Sequence, residues 1–587
     1  MQSPPTEHAR ILAPLLKGSA RYAPLLATCL AVGILVAAVP SLPGALLGAQ
    51  GGAAGGNSGA VNGALAQGPG AAGPGSASGP GAAAAPGAAG STGSASTLAS
   101  NAAGAAAAPF TGTTTGQPDC SRVAVLDASN LGGGTCRPPK WTGNNGGATY
   151  AGVSGTTINI VVYRPQQNQA VATALQQAGQ ASNQQEQEAI TAYQNWFNGH
   201  FELYGRKLNV EFQYGPSTST TDPTQQQADA SYAATTEHAF AVAALTGPLA
   251  FNQELARRGV PDVALTVEQR EADYAAEGGY VAGFLPDLDM QIQETAEYFC
   301  KRLNGHSAEY AGDVTYKNSP RKLGIIWVQT YTNAGSALQQ AVQRDCGVTV
   351  PNADTYEYSG QTNSLAQDAT TAVDQMHQNG VTTVTCLCDP VSPIVFTQQA
   401  TNQGWMPEWL MNSIALQDAP TVVRLYDQTQ MSHAFGMAQV SYPQNSCNAA
   451  WYKAYQQGSG GGYPASVGVA GLTTFVILEP IIAAIEKAGP DLTAATFTHA
   501  LYTLPATTAA NNVVHLSLGN QGPGPYTMED DLTQVWWSPT QNGPDGKAGA
   551  WYYTDGGRRY QPGQWPSGEP SMFTGSSWPP ADPCAAS

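Results

Sequence analysis

Charge is scarce in this sequence, and positive charge is scarcest. Asp, Glu, Lys and Arg make up 11% of the residues, with 24 basic against 41 acidic side chains and a formal net charge of -17. No Lys/Arg cluster is present that would neutralise a run of phosphates, which argues against nucleic acid as a partner. The eight histidines are scattered without a paired spacing suited to a metal site. Also missing are a G-x-S-x-G elbow, a P-loop and an H-E-x-x-H helix, and no cysteine has an evident His partner. With no nucleophile and base to name, the expectation is a protein that is not an enzyme and uses no cofactor or metal. Gln, Asn, Thr and Ser carry the solubility that charge does not, a pattern suited to an extracellular surface.

What is present begins with an address. Arg10, Lys17 and Arg21 precede an apolar run from Ala23 to Val39, closed by Pro40. Positive charge followed by an apolar stretch is an export signal. Its length, about 17 apolar residues, sits at the lower limit for spanning a bilayer, so residues 1–43 are expected to be either a signal peptide or a membrane anchor. Leu26-Ala27-Thr28-Cys29 is similar to the lipoprotein processing box, in which the cysteine receives lipid. Residues 44–117 are Gly, Ala, Ser, Pro and Thr with almost no large apolar side chain. Burial cannot offset the ordering entropy of such a segment, so it reads as a disordered tether with an end-to-end distance of roughly 50 Å.

The cysteines after Cys29 are even in number, which in an exported chain reads as disulfides. Cys120 with Cys136 would close a short loop in a lead-in spanning 118–154, and Cys300 with Cys346 would join two helix ends flanking one strand. Cys386 and Cys388 lie two apart on an expected strand, where side chains share a face and a direct bond is disfavoured. Their expected partners are Cys447 and Cys584. The acidic run Glu529-Asp530-Asp531 lacks the alternating ligands of a calcium loop and reads as a solvated turn.

From residue 155 onward, strand and helix patterns alternate. Ile158 to Tyr163 is an apolar strand run, Gln184 to Phe201 has helical spacing, and Lys207 to Phe212 alternates like a strand. Thr221-Asp222-Pro223 opens the next helix, Ala241 to Thr246 is a buried strand, and Val263 to Thr266 is another. The rhythm continues with helix Asp287–Leu303, strand Lys322–Gln329, helix Asn333–Asp345, strand Val348–Val350, helix Ser364–Asn379 and strand Thr382–Cys388. Such βαβ repetition implies parallel sheets.

The order of several short motifs carries a resemblance. They are Ile158-Asn159-Ile160-Val161-Val162, Tyr204-Gly205-Arg206-Lys207-Leu208, Leu245-Thr246-Gly247-Pro248, Arg258-Gly259-Val260-Pro261, Lys322-Leu323-Gly324-Ile325-Ile326 with Tyr331 beyond it, Gly404-Trp405-Met406-Pro407 and Asp555-Gly556-Gly557. In this order they resemble the type I periplasmic solute-binding proteins of ABC transporters, of the branched-chain amino-acid type. The resemblance implies an α/β fold of two doubly wound parallel-sheet lobes with an inter-lobe cleft. Lobe 1 is expected at about 155–285 and 412–520, lobe 2 at about 286–411 and 521–565, followed by a tail at 566–587.

In open parallel sheets, ligands bind beyond the carboxyl ends of the strands, where helix N-termini face a crevice. By position, lobe 1 offers Arg164, Thr246, Gly247 and Thr266, and lobe 2 offers Tyr331 and Asp389. The segment after Gly247-Pro248 is Leu249-Ala250-Phe251, where amino-acid binders of this family tend to place hydroxyls, so amides and aromatic acids stay open beside amino acids. The implied function is capture of a small polar solute outside the cell and delivery to an ABC permease in the membrane. A tethered ligand sensor or envelope-interaction protein on the same fold is the alternative.

Overall fold

The computed structural model describes residues 141–584, apart from 167–171, 174–175, 177–178, 216–221, 267, 505, 507–517 and 519–525. The expected signal or anchor, the tether, Cys120, Cys136 and Thr221 lie outside the described residues. No helix among the described residues is long and apolar enough to cross a membrane.

The first lobe is built on a parallel sheet ordered β2-β1-β3-β4-β5, from Lys207–Tyr214, Thr157–Arg164, Ala241–Ala244, Asp262–Ala264 and Val281–Gly283. In β1 the run Val161 to Arg164 is buried on both faces, as a central parallel strand requires. Helix α1, Asn183–His200, starts at a capping box in which Ser182 and Gln185 bond each other's backbone N–H. Its Ile190, Tyr193, Trp196 and Phe197 enter the core of this lobe. Helix α2, Pro223–Thr235, is capped by Asp222 with proline at its first position. Helices α3, Leu249–Arg257, and α4, Glu271–Ala276, follow β3 and β4.

The chain then passes to a second, mixed sheet, ordered β12-β11-β10-β9-β8-β6-β7. Helix α5, Leu288–Tyr298, leads to β6, Leu323–Val328. Helix α6, Ala334–Cys346, β7, Thr355–Tyr358, α7, Leu365–Gln378, and β8, Thr383–Leu387, follow, then α8, Ser392–Asn402, and β9, Glu408–Met411. The strand expected at Val348–Val350 is not formed. Pro351 follows it directly and cannot donate to a ladder, so β7 begins only after a 3-10 turn at Asn352–Asp354.

The return to lobe 1 comes later than expected. Strand β10, Ala434–Ala438, still pairs in parallel with β9, so residues 412–438 belong with the second sheet. Gly436 permits this contact, since a Cβ there would lie 2.3 Å from the Met411 carbonyl oxygen. Only then do α9, Ala450–Gly458, α10, Ala470–Ala488, and α11, Ala494–Tyr502, pack in the first lobe. A bridge from Gly283 to Thr527 ties the last crossover to the first sheet. Strands β11, Leu532–Asn542, and β12, Ala548–Tyr553, finish the second sheet antiparallel, with β13, Arg559–Tyr560, on β11.

The segment beyond β13 is bound down. Glu297 accepts from Gly563 and Trp565 N–H, Arg302 donates to the Gly568 carbonyl at 2.7 Å, and Arg321 pairs with both Glu408 and Glu569. Phe573 and Trp578 pack on Trp536.

Cys300 and Cys346 are joined, with Cα atoms 5.5 Å apart. The C-x-C pair departs from expectation: Cys386 bonds Cys388, and Cys447 bonds Cys584. Strand β8 ends at Leu387, so Cys388 leaves the pleat and the two Cα atoms are 5.1 Å apart. A fully extended pair would be separated by about 6.6 Å.

The acidic run is also corrected. Glu529, Asp530 and Asp531 are buried at 3%, 1% and 2% exposure, not solvated. They form the last crossover, where Arg559 pairs with Glu529 and Asp531, and Gln561 donates to Asp530.

Candidate solute site at the strand ends

The carboxyl ends of β1, β3 and β4 carry four of the expected residues. Arg164 ends β1 and is 6% exposed. Its Nη1 donates to the Ala181 carbonyl at 3.0 Å and approaches Glu186 at 3.5 Å, while Nη2 donates to Asn183 Oδ1 at 2.5 Å. Phe212 and Tyr214 present ring faces to the guanidinium. Burial lowers the Arg164 pKa and raises that of Glu186, each partner partly offsetting the shift. Arg164 therefore anchors the start of α1 while lining a cavity of about 340 Å³ with Tyr214, Gln180, Ser182 and Asn183.

After β3, the half-buried Thr246 donates to the Leu245 carbonyl at 2.9 Å. Gly247 is needed for close packing: a Cβ would lie 2.8 Å from both the Ala264 Cβ and Asn252 Oδ1. Asn252 in turn donates to the Gly247 carbonyl at 3.1 Å. After β4, Thr266 is 4% exposed and its hydroxyl has no partner among the described residues. Two residues on, the Glu268 carboxylate accepts the Leu249 N–H at 2.8 Å and so caps α3, whose N-cap residue Pro248 has no side-chain bond to give.

Lobe 2 presents Tyr331, after β6, and Asp389, after β8. Tyr331 is 5% exposed, and burial, with Glu268 and Asp389 adding to it, pushes its hydroxyl well above the usual phenol range. Tyr331 stands near the lobe contact, since Arg270, two residues after Glu268, reaches the carbonyl of Thr332, the residue after Tyr331. Asp389 accepts the Tyr358 hydroxyl at 2.6 Å, the N–H groups of Val391 and Ser392 at 2.9 and 2.8 Å, and the Ser392 hydroxyl. It thus holds the two N–H groups at the start of α8 from just before the helix.

The lobes touch directly at this level. Arg270, which opens α4, donates to the Thr332 carbonyl at 2.7 Å and pairs with Asp289 of α5. Asp287 caps α5 through the Met290 N–H, and burial raises its pKa to about 6. Sequence reasoning missed Glu268 and Arg270. The available signal was their position, just past a strand end that already carried Thr266. Among the described residues, the grouping closest to a metal cage is Cys447, Asp582 and Cys584, whose two sulfurs are already bonded to each other.

Comparison with known proteins places this geometry in a family. The family model described as periplasmic binding protein matches residues 170–528, more than half of the chain. Among solved structures, a possible leucine/isoleucine/valine-binding protein from Rhodopirellula baltica is similar at TM-score 0.50 and 12% identity, covering 68% of this chain and 96% of its own. A solute-binding protein of an ABC transporter from R. palustris, in complex with 4-hydroxybenzoate, gives TM-score 0.49 and 14% identity over 70% of this chain and 98% of its own. A leucine-binding protein from Thermotoga maritima gives 0.47 and 12% over 69% and 99%. No curated protein matches the chain in sequence. The two parallel-rich lobes, three crossovers and matched model together make this chain a member of the periplasmic binding protein family.

Proposed function

We propose that the chain is the extracellular receptor of an ABC importer, binding a small polar solute between its lobes and presenting the closed form to a membrane permease. In this reading residues 1–43 export or anchor the protein and 44–117 tether it. No bond is made or broken, and function rests on differential affinity of the solute for open and closed states. The observation that supports it most is the convergence of strand ends from both lobes on one polar neighbourhood. There the Thr266 hydroxyl has no partner among the described residues, and Arg270 already reaches across to Thr332.

Thr246, Thr266 and Tyr331 are proposed to touch the solute, with the Gly247 backbone beside them. Arg164 and Asp389 are proposed to line the site while holding the starts of α1 and α8. The test is thermal unfolding of the full chain against a panel of amino acids, amides, aromatic acids and amines. A solute at 100 times its dissociation constant adds about 2.7 kcal/mol of stability. A flat panel, together with unchanged solute uptake in cells lacking the protein, would contradict the proposal.

A further inference from the structure

The three crossovers between the lobes differ in length and in how they are held. Residues 284–287 and 528–531 are short, and the Gly283–Thr527 bridge joins them at lobe 1. Residues 439–449, between β10 and α9, form the long one. Its start is fixed in lobe 2, where Asp418 accepts the N–H groups of Gln439 and Val440 at 2.6 and 2.9 Å. It then passes the second sheet, with Tyr442 in T-shaped contact with Tyr553 of β12, exposes Gln444 and Asn445, and enters α9. Helix α9 belongs to lobe 1: the Tyr193 hydroxyl of α1 donates to the Trp451 carbonyl, and Trp196 Nε1 donates to Gln457.

Just before α9 this crossover meets the C-terminal tail. Cys447 is bonded to Cys584, and Asp582 holds the two partners together: one carboxylate oxygen accepts the Ser446 N–H at 3.0 Å, the other the Cys584 N–H at 2.9 Å. The Asp582 N–H donates to the Pro544 carbonyl at 2.8 Å, in the turn between β11 and β12. Upstream, the tail is fastened to lobe 2 by Trp578 against Trp536 and Tyr552, and by the Tyr310 hydroxyl donating to the Pro570 carbonyl. The disulfide therefore connects a segment packed on lobe 2 to the residue three before a lobe 1 helix, beyond the three crossovers. Its position gives it leverage. The turn at Pro544 lies at the opposite end of β11 from the third crossover, and that strand of 11 residues is roughly 30 Å long. A link close to a rotation axis barely resists rotation, whereas a distant one is stretched by a small swing.

We infer that the C-terminal tail is a strap across the lobes: anchored along lobe 2 and buckled to Cys447 at the entry to α9, it limits how far the lobes swing apart. A narrower open ensemble leaves a larger fraction of molecules near the closed form, which favours capture. This rests on the hinge of the solute-receptor reading, but its test needs no solute, so the two can fail separately.

The test is the distance distribution between spectroscopic labels, attached without cysteine chemistry at exposed Gln225 and Gln367, in the solute-free full chain. The strap is released in two ways. Cys447→Ser with Cys584→Ser removes the buckle. A protease site inserted between exposed Pro580 and Ala581, cut after folding, keeps the bond and severs the tail. Each release is expected to lengthen the mean distance and broaden the distribution, with the near-ultraviolet circular dichroism of the parent retained. An unchanged or shortened distribution in either released form that keeps that circular dichroism overturns the strap. The cut is made in the folded chain, so it decides the matter even where the serine variant fails to fold. The receptor reading survives that outcome, since solute binding tests it.

Discussion

Arg559 spans two carboxylates of the last crossover: its Nε donates to Asp531 at 2.8 Å and its Nη2 to Glu529 at 3.1 Å. All three side chains are nearly inaccessible, and the same guanidinium also reaches the Gln439 carbonyl at 2.9 Å. One arginine thus ties the third crossover to the residue that opens the second. Arg559→Met leaves both carboxylates buried without their cation, and stability is expected to fall by about 3–5 kcal/mol. Urea unfolding measures the loss. Adding Glu529→Gln and Asp531→Asn to the same variant is expected to recover a substantial part of it.

Buried acids set a direction for pH. Burial pushes Glu277 and Glu294 up to about 8, from an ordinary 4.5, and Asp418 to about 6, from 3.8. A carboxyl whose folded pKa is raised binds its proton more tightly in the folded state. Its contribution is therefore complete below the unfolded value and is lost as pH climbs toward the folded one. The melting temperature is expected to decline from about pH 4.5 to about pH 8, with Glu277→Gln and Glu294→Gln together flattening the slope. A melting temperature that rises steadily across that window would run against this assignment.

Thr266 separates binding from folding. Its buried hydroxyl has no partner among the described residues, so Thr266→Val removes an unsatisfied group at nearly constant shape. Stability without solute is expected to stay level or rise by up to about 1 kcal/mol, while solute affinity falls about fivefold. Paired measurement of melting temperature and dissociation constant checks both halves.

The legible part of the fold was the part with strong periodicity. The apolar run of β1, the Asp222-Pro223 helix start and the alternation of strands with helices all follow from local patterns that the packing reinforces. Strand β5 is three residues long, too short for any periodicity to register. Strand β10 is a five-residue run of small and apolar residues without alternation, and its place beside β9 depends on Gly436 meeting the Met411 backbone, a long-range contact. Glu529-Asp530-Asp531 looked solvated because their cation, Arg559, lies far along the chain. Strand-end position put Thr266, Tyr331 and Asp389 forward as candidates, and the structure does place them just after β4, β6 and β8. The capping role of Glu268 was not legible, because it depends on where α3 starts in space.

The proposed function turns on closure of two lobes over a solute. Its most direct measurement is the distance between spectroscopic labels on exposed Gln225 of α2 and exposed Gln367 of α7, one on each lobe, with and without a solute that raises the melting temperature. Closure predicts a shorter, narrower distance distribution when the solute is bound. A distribution unchanged by a solute that demonstrably binds would contradict the account.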